Sequence, residues 1–311
     1  MIVRALDPER DLDGYLRVVH QQDPFPRDAA EWWERQREAR QGAFRRHLVG
    51  EAGGEIVAVG ILLDVEAGNA VNGRLVVDTV HRGRGHGRTM AAALDDLIAA
   101  RAPTHVDVRV SDGDQGSRAW AERRGFRLHT HAIRSRLDLS EFDSMAHRAG
   151  VERVEAAGIR VESVTDMDRL YHLFAQLSAD MPDYDEPPDR DSFRRRVEDR
   201  PGTIALVACR RSEWAGTSIV VLHMADGAWN EFTGVLPERR GAGIATALKV
   251  LATEEAVRQG RAWIETINSA ENAPMLTINR SLGYRRVAST LFLRHKVEEL
   301  ARQTGGQPAV I

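Results

Sequence analysis

Two glycine-rich turns carry the residues of this chain best suited to chemistry. They read Arg82-Gly83-Arg84-Gly85-His86-Gly87 and Arg240-Gly241-Ala242-Gly243-Ile244-Ala245, which share the pattern Arg-x-x-Gly-x-(Gly/Ala). A predicted strand precedes each turn and a predicted helix follows it. Unpaired N–H groups at a helix start attract anions, and glycine lets a pyrophosphate approach the backbone because it has no Cβ. The turns therefore predict phosphate binding, with purely structural turn glycines as the alternative.

Two other nucleotide-binding motifs do not fit these turns. Neither turn ends in the Lys-Ser/Thr pair of a P-loop. Residues 81–88 are preceded by a meander of strands rather than by the first strand of a βαβ unit, which argues against a Rossmann fingerprint.

The two turns belong to a tandem repeat. Arg82 and Arg240 lie 158 positions apart, and the later pairs Gly125-Phe126 and Gly283-Tyr284 keep the same offset. The order of predicted elements also repeats, with meander strands followed by a β-α-β unit. We expect an α/β fold of two domains, each a mostly antiparallel twisted mixed sheet with flanking helices. The predicted boundaries are an N-terminal domain over 1–140, a linker that could form a helix over 141–157, a C-terminal domain over 158–300 and a flexible tail over 301–311.

The motifs of both repeats resemble those of the GCN5-related N-acetyltransferase (GNAT) family, whose motif A reads Arg/Gln-x-x-Gly-x-Gly/Ala. In the second repeat the match extends back through Val235-Leu236-Pro237-Glu238-Arg239-Arg240 and forward to Asn272, eleven residues before Gly283-Tyr284. The resemblance covers nearly the whole chain as two copies, as in tandem acetyltransferases of the mycothiol synthase type. It implies a GNAT fold for each repeat and acetyl-CoA, or another acyl-CoA, as cofactor. The motifs do not identify the acceptor.

The resemblance also implies roles for the matching positions. The strand backbone would bind the pantetheine arm and the turn amides would bind the pyrophosphate, while Asn268 and Asn272 are either ligand contacts or helix caps. In the second repeat the implied cofactor-binding residues are Val235, Leu236, Pro237, Arg240, Gly241, Ala242, Gly243, Ile244, Ala245, Asn268 and Asn272. In the first repeat they are Val77, Arg82, Gly83, Arg84, Gly85, His86 and Gly87.

Glu231 is the candidate general base. Strand alternation predicts that it shares a face with Thr233 and Val235, where a carboxylate could take a proton from an amine directly or through water. An exposed strand glutamate is the alternative. Family members commonly have a tyrosine that acts as the general acid four residues before the Gly-Phe pair. In this sequence Asn279 and Ala121 occupy that position, so the resemblance supplies no general acid.

Cys209 lies on a predicted strand away from both turns, and we expect a buried core thiol rather than a nucleophile that carries the acyl group. The first repeat departs further from the family, with Thr79 in place of the proline and Asp114 in place of Asn272. Because a carboxylate beside a pyrophosphate would repel it, we expect the second repeat to be catalytic and the first to be cofactor-binding or structural.

The predicted reaction is transfer of an acetyl group from acetyl-CoA to the primary amine of a small molecule by direct attack. The acidic segment around Asp183, Tyr184 and Asp185 could bind a cationic amine, with a solvated acidic loop as the alternative. A catalytically silent acyl-CoA-binding or scaffold protein, and a protein N-acetyltransferase, remain open.

Composition excludes several other classes. The 43 basic and 46 acidic residues give a net charge of −3, so there is no basic surplus for nucleic acid. No apolar run approaches the roughly 20 residues of a membrane span, and the N-terminus lacks a signal-peptide stretch. The single cysteine excludes an internal disulfide framework. We expect a cytoplasmic monomer or homodimer without a metal site.

Overall fold

The computed structural model describes residues 1–21, 44–64, 69–179, 181, 189–222 and 226–297. The chain forms two compact units. Unit 1 comprises Met1–His129 with Leu291–Ile311, and unit 2 comprises Thr130–Thr290. Both units combine helices with a mixed sheet, which confirms the fold class predicted from the sequence.

Unit 1 is built on a sheet in the order β1-β2-β3-β4-β5-β12. The pairs from β1 to β4 are antiparallel, and β4 and β5 are parallel. The strands are β1 (Ile2–Ala5), β2 (Arg45–Ala52), β3 (Glu55–Asp64), β4 (Ala70–Val77), β5 (His105–Ser111) and the residues of β12 (Arg285–Lys296) from Leu291 onward. The helices are α1 (Pro8–His20), α2 (His86–Arg101) and α3 (Gln115–Arg123).

The two long helices of unit 1 pack on different clusters of strand side chains. Helix α1 starts at Pro8 after the cap Asp7, which accepts a hydrogen bond from the amide of Glu9. Its buried residues join Val49, Val59 and Val76. Helix α2 packs Met90, Leu94 and Ile98 in a second cluster with side chains of the strands. Because both faces of β3 are covered, this strand is a continuous apolar run rather than an alternating one.

Unit 2 is built on a sheet in the order β6-β11-β10-β9-β8-β7. Only β10 and β11 are parallel among the pairs of this order. The strands are β6 (Arg127–Asp138, in this unit from Thr130), β7 (Arg160–Ser163), β8 (Ile204–Arg210), β9 (Glu213–Val221), β10 (Gly227–Val235) and β11 (Trp263–Ser269). The helices are α4 (Met145–Ala156), α5 (Met167–Ser178), α6 (Arg190–Phe193), α7 (Ile244–Arg258) and α8 (Ala273–Ser281), and α6 continues as a π-turn over Arg194–Glu198.

Helix α4 lies in the segment that the sequence predicts as a linker. Its Val151 and Val154 are 2% exposed and belong to the same buried cluster as Ala247 and Leu248 of α7. The segment is therefore part of the core of unit 2. The tail over 301–311 lies outside the described residues.

The last strand of each repeat belongs to the unit of the other repeat. Strand β6 closes the first repeat in sequence but pairs with β11 in unit 2, and the end of β12 lies beside β5 in unit 1. An equivalent ion pair fixes each of these strands. Arg294 binds Asp107 through two bonds of 2.7 and 2.8 Å, and Arg136 binds the buried Glu265 at 2.7 Å. Arg136 and Arg294 lie 158 positions apart.

No helix in the described part of the chain is long and apolar enough to cross a bilayer.

Candidate active site

In each unit a pair of parallel strands separates beside the glycine-rich turn. Strands β10 and β11 pair only from Gly227 with Trp263 to Trp229 with Glu265. Strands β4 and β5 pair from Ala70 with His105 to Gly73 with Val108. The remaining residues of β4 and β10 run beside an open gap, and this gap ends at the turn.

The last residue of β10 presents its backbone to the gap. The amide of Leu236 donates to Ala215 O at 2.9 Å, so in this antiparallel register the N–H and C=O of Val235 point away from β9. The carbonyl of Val235 accepts a 3.0 Å bond from Nε of Arg240. Its N–H group therefore remains directed into the gap.

Unit 1 repeats this arrangement with the same offset. The amide of Asp78 donates to Val57 O at 2.9 Å, and Nε of Arg82 donates to the carbonyl of Val77 at 3.3 Å. The arginine of each motif thus fixes the turn to the end of the preceding strand, and the valine N–H of each unit is available to an amide of a ligand.

The turns have the backbone conformation that glycine allows. Gly83 and Gly85 have φ of +77° and +85°, and Gly241 and Gly243 have φ of +82° and +79°. Helix α2 begins at His86 after Gly85, and helix α7 begins at Ile244 after Gly243. Within the described residues, the amides of 83–87 and of 241–246 make no hydrogen bond to another backbone group. Each turn thus presents a row of donors at the positive end of a helix dipole.

The space beside these glycines is open. A Cβ built at Gly83, Gly85 or Gly241 would meet no described atom within 4 Å, and one at Gly243 would meet Val154 at 3.7 Å. Open space, free amides and a strand N–H in the gap fit a pyrophosphate joined to an amide-containing arm, which is the chemistry of an acyl-CoA. In this fit the turn residues act through their backbones. Ile244 itself is 2% exposed and packs in the core.

The other cofactor candidates occupy structural positions. Asn272 caps α8 by accepting a 3.2 Å bond from the amide of Met275, and Asp114 caps α3 in the same way from Ser117 at 2.9 Å. The bonds to Ser117 are the main cause that lowers the pKa of Asp114. The difference between Asn272 and Asp114 therefore has a local explanation, because both residue types are good N-caps. Leu236 and Pro237 lead into the turn, and Ala245 packs partly against the core of unit 2.

Glu231 forms a β-bulge in β10. Asn230 pairs with Val220 and Phe232 with Ile219, so Glu231 is the extra residue, just where β10 leaves β11. Its carboxylate Oε1 forms an ion pair with Arg196, and its side chain is 11% exposed. Among the described residues, no donor reaches Oε2.

The bulge changes the face on which Glu231 lies. Thr233 and Asn230 are hydrogen-bonded to each other on the side of α7, whereas Arg196 belongs to the π-turn whose Val197 packs with Phe232. The expected common face of Glu231, Thr233 and Val235 is wrong, because a bulge breaks the strict alternation on which it relied.

A buried lysine supports the bulge from helix α7. Nζ of Lys249, which is 2% exposed, donates to Oδ1 of Asn230 at 2.5 Å and lies 5.0 Å from the ring centre of Tyr284. Nδ2 of Asn230 in turn donates to the carbonyls of Ile219 and Phe232 at 3.1 and 3.2 Å, across the bulge. Desolvation lowers the pKa of Lys249 to about 7.

The structure pairs two asparagines near the position of the family tyrosine. Nδ2 of Asn279 donates to Oδ1 of Asn268 at 2.7 Å. Asn279 is 1% exposed, and its Oδ1 has no partner among the described residues. An amide cannot release a proton as a phenol can, so this position supplies no general acid.

The remaining sequence candidates are placed as follows. Asp183, Tyr184 and Asp185 lie outside the described residues. Cys209 is a free thiol, 3% exposed, which confirms the expected core position. Arg196 and Lys249 are site residues that the sequence did not predict. The three consecutive arginines at 194–196 indicated a local positive charge but not which acid it would bind. Lys249 could have been identified from the sequence because it stands between two apolar residues, Leu248 and Val250, which the structure buries.

Comparison with known proteins agrees with this geometry. Residues 10–126 match the profile of the acetyltransferase (GNAT) family. A mycothiol acetyltransferase of Streptomyces scabiei is 26% identical over 258 residues, which cover 80% of this chain and 79% of that protein. A tandem GNAT protein from the clavulanic acid biosynthesis pathway has a TM-score of 0.72 at 20% identity and covers 95% of this chain and 98% of its own. A GCN5-related N-acetyltransferase from Sphaerobacter thermophilus has a TM-score of 0.75 at 17% identity over 95% of each chain.

These matches cover both repeats. The family profile includes the first turn, the second turn repeats its motif and geometry 158 positions later, and the tandem structures share the fold over nearly the full length. In sequence and fold the chain is therefore similar to tandem-domain acetyltransferases of the GNAT family.

Proposed function

We propose that the second repeat transfers an acetyl group from acetyl-CoA to the primary amine of a small molecule. We propose that the first repeat binds the cofactor or has a structural role. Acetyl-CoA supplies an activated thioester when it is bound. The residues that would hold it are the backbones of Val235 and of 240–245.

The observation that carries this assignment is the carboxylate of Glu231 at the bulge where β10 leaves β11. Both repeats have an equivalent turn, arginine and strand end, so these features do not distinguish them. The position of Glu231 corresponds to Gly73 in the first repeat, which has no side chain. A base at this place thus exists only in the second repeat.

The residues of the second repeat would divide the reaction as follows. The N–H of Val235 points into the gap and would donate to the oxygen on which negative charge develops. Arg196 orients Glu231 through Oε1, and Oε2 would take the proton that the attacking amine loses, directly or through water. The carbon–sulfur bond breaks as the carbon–nitrogen bond forms, and the departing thiolate takes its proton from solvent because Asn279 cannot supply one.

A small acceptor is favoured over a protein. The name of the Streptomyces scabiei relative, mycothiol acetyltransferase, describes an enzyme that acts on a small molecule. The segment of Asp183 to Asp185 is our candidate for attracting the amine as a cation.

The test measures thiol release from acetyl-CoA with a panel of small amines that includes the amine precursor of mycothiol. We expect turnover with at least one amine, and we expect Glu231→Gln to lower kcat by 10²- to 10⁴-fold without changing the affinity for acetyl-CoA. Glutamine keeps the size of the side chain and an oxygen for Arg196, so the fold is retained.

The matched control is Glu162→Gln, which alters another strand glutamate of unit 2 that pairs with an arginine, at 3.6 Å from Arg160. This variant should keep full activity. Equal kcat for Glu231→Gln and the wild type would refute the assignment of the base. Tight binding of acetyl-CoA without turnover of any amine would instead favour a catalytically silent acyl-CoA-binding protein. The absence of a general acid at position 279, where Asn279 stands, is consistent with that function.

A further inference from the structure

We propose that a groove in unit 1 binds a small zwitterion, a molecule that carries both a carboxylate and an ammonium group. The groove lies between α1, Arg4 of β1 and the hairpin that joins β2 to β3, and its volume is about 560 Å³. Pockets for small ligands commonly have a volume of this order. None of the residues that line the groove belongs to a glycine-rich turn, and the proposal does not depend on the acetyl transfer proposed for the second repeat.

A network of ion pairs forms the floor of the groove. The buried carboxylate of Asp11 accepts two bonds from Arg4, at 2.5 and 2.9 Å. It also accepts bonds from Nε of Arg10 at 3.1 Å and from the amide of Asp7 at 2.9 Å. These donors, Arg4 above all, hold the pKa of Asp11 well below its usual range. Because both of its oxygens are occupied, Asp11 fixes the two surrounding arginines but has no capacity left for a ligand.

Two arginines on the helix side of the groove keep unpaired donors. Arg10 and Arg17 lie seven residues apart on one face of α1, about 10 Å apart along the helix axis. Their side chains are 60% and 48% exposed. Nη1 of Arg10 donates to no described residue, and its Nη2 only approaches Glu51 at 3.9 Å. Arg17 binds the buried Asp78 and donates to the carbonyl of Ile56 at 2.7 Å, which leaves its Nε without a partner in the described part of the chain.

The hairpin side of the groove supplies unpaired acceptors. Glu55 is the first residue of β3 and is exposed, and no hydrogen bond or ion pair joins its carboxylate to another described residue. Glu51 accepts a 2.7 Å bond from Arg4 through Oε2, and its Oε1 accepts none from the residues that the structure describes.

The two sets of unpaired groups select the ligand. Guanidinium N–H groups bind a carboxylate, and the carboxylates of the hairpin bind an ammonium group. A simple anion would leave Glu55 unpaired, and a simple cation would leave the arginines unpaired. A molecule with both groups satisfies both sides of the groove at once.

On the helix side, the second repeat has leucines in place of the polar floor. Counted from the cap of each helix, Leu170 and Leu173 of α5 take the places of Asp11 and Gly14. Both leucines are buried in an apolar cluster of unit 2. A buried ion pair stabilises a fold less than well-packed apolar side chains do, because its charges must be desolvated. Packing alone therefore does not explain the network of unit 1.

On the hairpin side, the second repeat has Trp214 in place of Ile56. The guanidinium of Arg169, which corresponds to Arg10, lies 4.2 Å from the ring centre of Trp214 and donates to Ser212 O at 2.6 Å. The helix arginine of unit 2 is thus stacked on an indole, whereas Arg10 of unit 1 faces an open groove. The combination of residues that forms the groove is a property of unit 1.

The experiment is a calorimetric titration of the full chain with glycine, 4-aminobutyrate and 6-aminohexanoate. These zwitterions carry the same two groups at increasing separation. Each is compared with the carboxylic acid and the amine of the same chain length, which carry only one of the two groups. We expect at least one zwitterion to bind tenfold or more tightly than either of its single-charge counterparts.

Variants on the two sides of the groove locate the binding. Arg10→Gln and Glu55→Gln should each weaken binding of that zwitterion tenfold or more, because each removes a charge that pairs with the ligand. Both residues are exposed, so the fold is retained, and thermal unfolding checks this. The control is Glu9→Gln, at an exposed residue of α1 that does not line the groove, and it should bind as the wild type does.

Three outcomes would overturn the proposal. The first is that no zwitterion binds more tightly than both of its single-charge counterparts. The second is that Arg10→Gln or Glu55→Gln binds as the wild type does. The third concerns acetyl-CoA, for which the affinity of both variants should be unchanged, and a loss there would assign the groove to the cofactor site.

Discussion

At the scale of single residues, the second repeat is distinguished by polar side chains in places where the first has none or different ones. Glu231 replaces Gly73, and its position is set by a chain of contacts from Lys249 through Asn230 to the carbonyls of the bulge. These contacts join α7, which begins at the turn, to β10, the strand that carries the candidate base. Lys249 is therefore a positioning residue, and its burial has a measurable cost.

Lys249→Met should change how stability depends on pH. The pKa of Lys249 is about 7 in the folded chain, against 10.5 for the unperturbed group. Between these values the unfolded chain binds a proton that the folded chain does not, so the free energy of unfolding of the wild type rises with pH. From pH 7 to pH 9 the rise due to this group is about 2 kcal/mol. The free energy of unfolding of Lys249→Met should not show this rise.

Urea unfolding of both proteins at several pH values measures this difference. The control is Lys296→Met, which removes an exposed lysine and should keep the wild-type slope. Parallel curves for Lys249→Met and the wild type would show that Lys249 remains protonated in the fold.

At the scale of elements, the sequence predicted the main helices and strands of both repeats and the position of the turns, because glycine spacing and apolar periodicity are local signals. It did not predict the bulge at Glu231, since neither a glycine nor a proline lies at positions 230–232 to mark it. Asn272 shows a similar limit. An asparagine before a helix is compatible with a cap and with a ligand contact, and only the bond to Met275 establishes the cap.

The turn of the second repeat should be sensitive to a single methyl group. Gly241→Ala adds a Cβ in the open space where the turn amides point and costs about 1 kcal/mol, because φ is +82°. We expect acetyl-CoA turnover to fall tenfold or more. Gly83→Ala makes the same change in the first repeat and should leave turnover unchanged, as the proposed division of roles requires.

Gly260→Ala separates strain from ligand binding. Gly260 also has a positive φ, +70°, and open surroundings, but it follows the other end of α7. Its substitution should lower the thermal midpoint about as much as Gly241→Ala and leave turnover intact. A loss of turnover in Gly83→Ala with normal Gly241→Ala would move catalysis to the first repeat.

At the scale of the whole molecule, the exchange of the last strands is the feature that the sequence could not predict. The two closing strands carry their arginines at equivalent positions, and β5 and β11 carry the matching acids, Asp107 and Glu265. By this pattern β6 and β12 could each pair with either β5 or β11. The residues therefore do not tell whether the closing strand of a repeat stays in its own unit or joins the other one. Only the structure shows that Arg294 binds Asp107 and that Arg136 binds Glu265.

Fragments cut at the boundary of the repeats should therefore fail to fold separately. Residues 1–140 lack the part of β12 that completes unit 1, and residues 141–311 lack β6 of unit 2. We expect neither fragment to unfold cooperatively by circular dichroism, and we expect their mixture to regain a cooperative transition. A full chain nicked after Asp143 in the folded state is the control and should keep its transition. Cooperative unfolding of either isolated fragment would contradict the exchange.

The exchange of strands also sets an order of events during synthesis. Domains generally fold as units, the N-terminal one first, as a chain leaves the ribosome. Here all of unit 2 has been made once Thr290 emerges, whereas unit 1 still lacks the strand residues that begin at Leu291. The unit that is translated first is thus completed last, with an exposed edge at β5 that the nascent chain must keep from other partners until its final strand arrives.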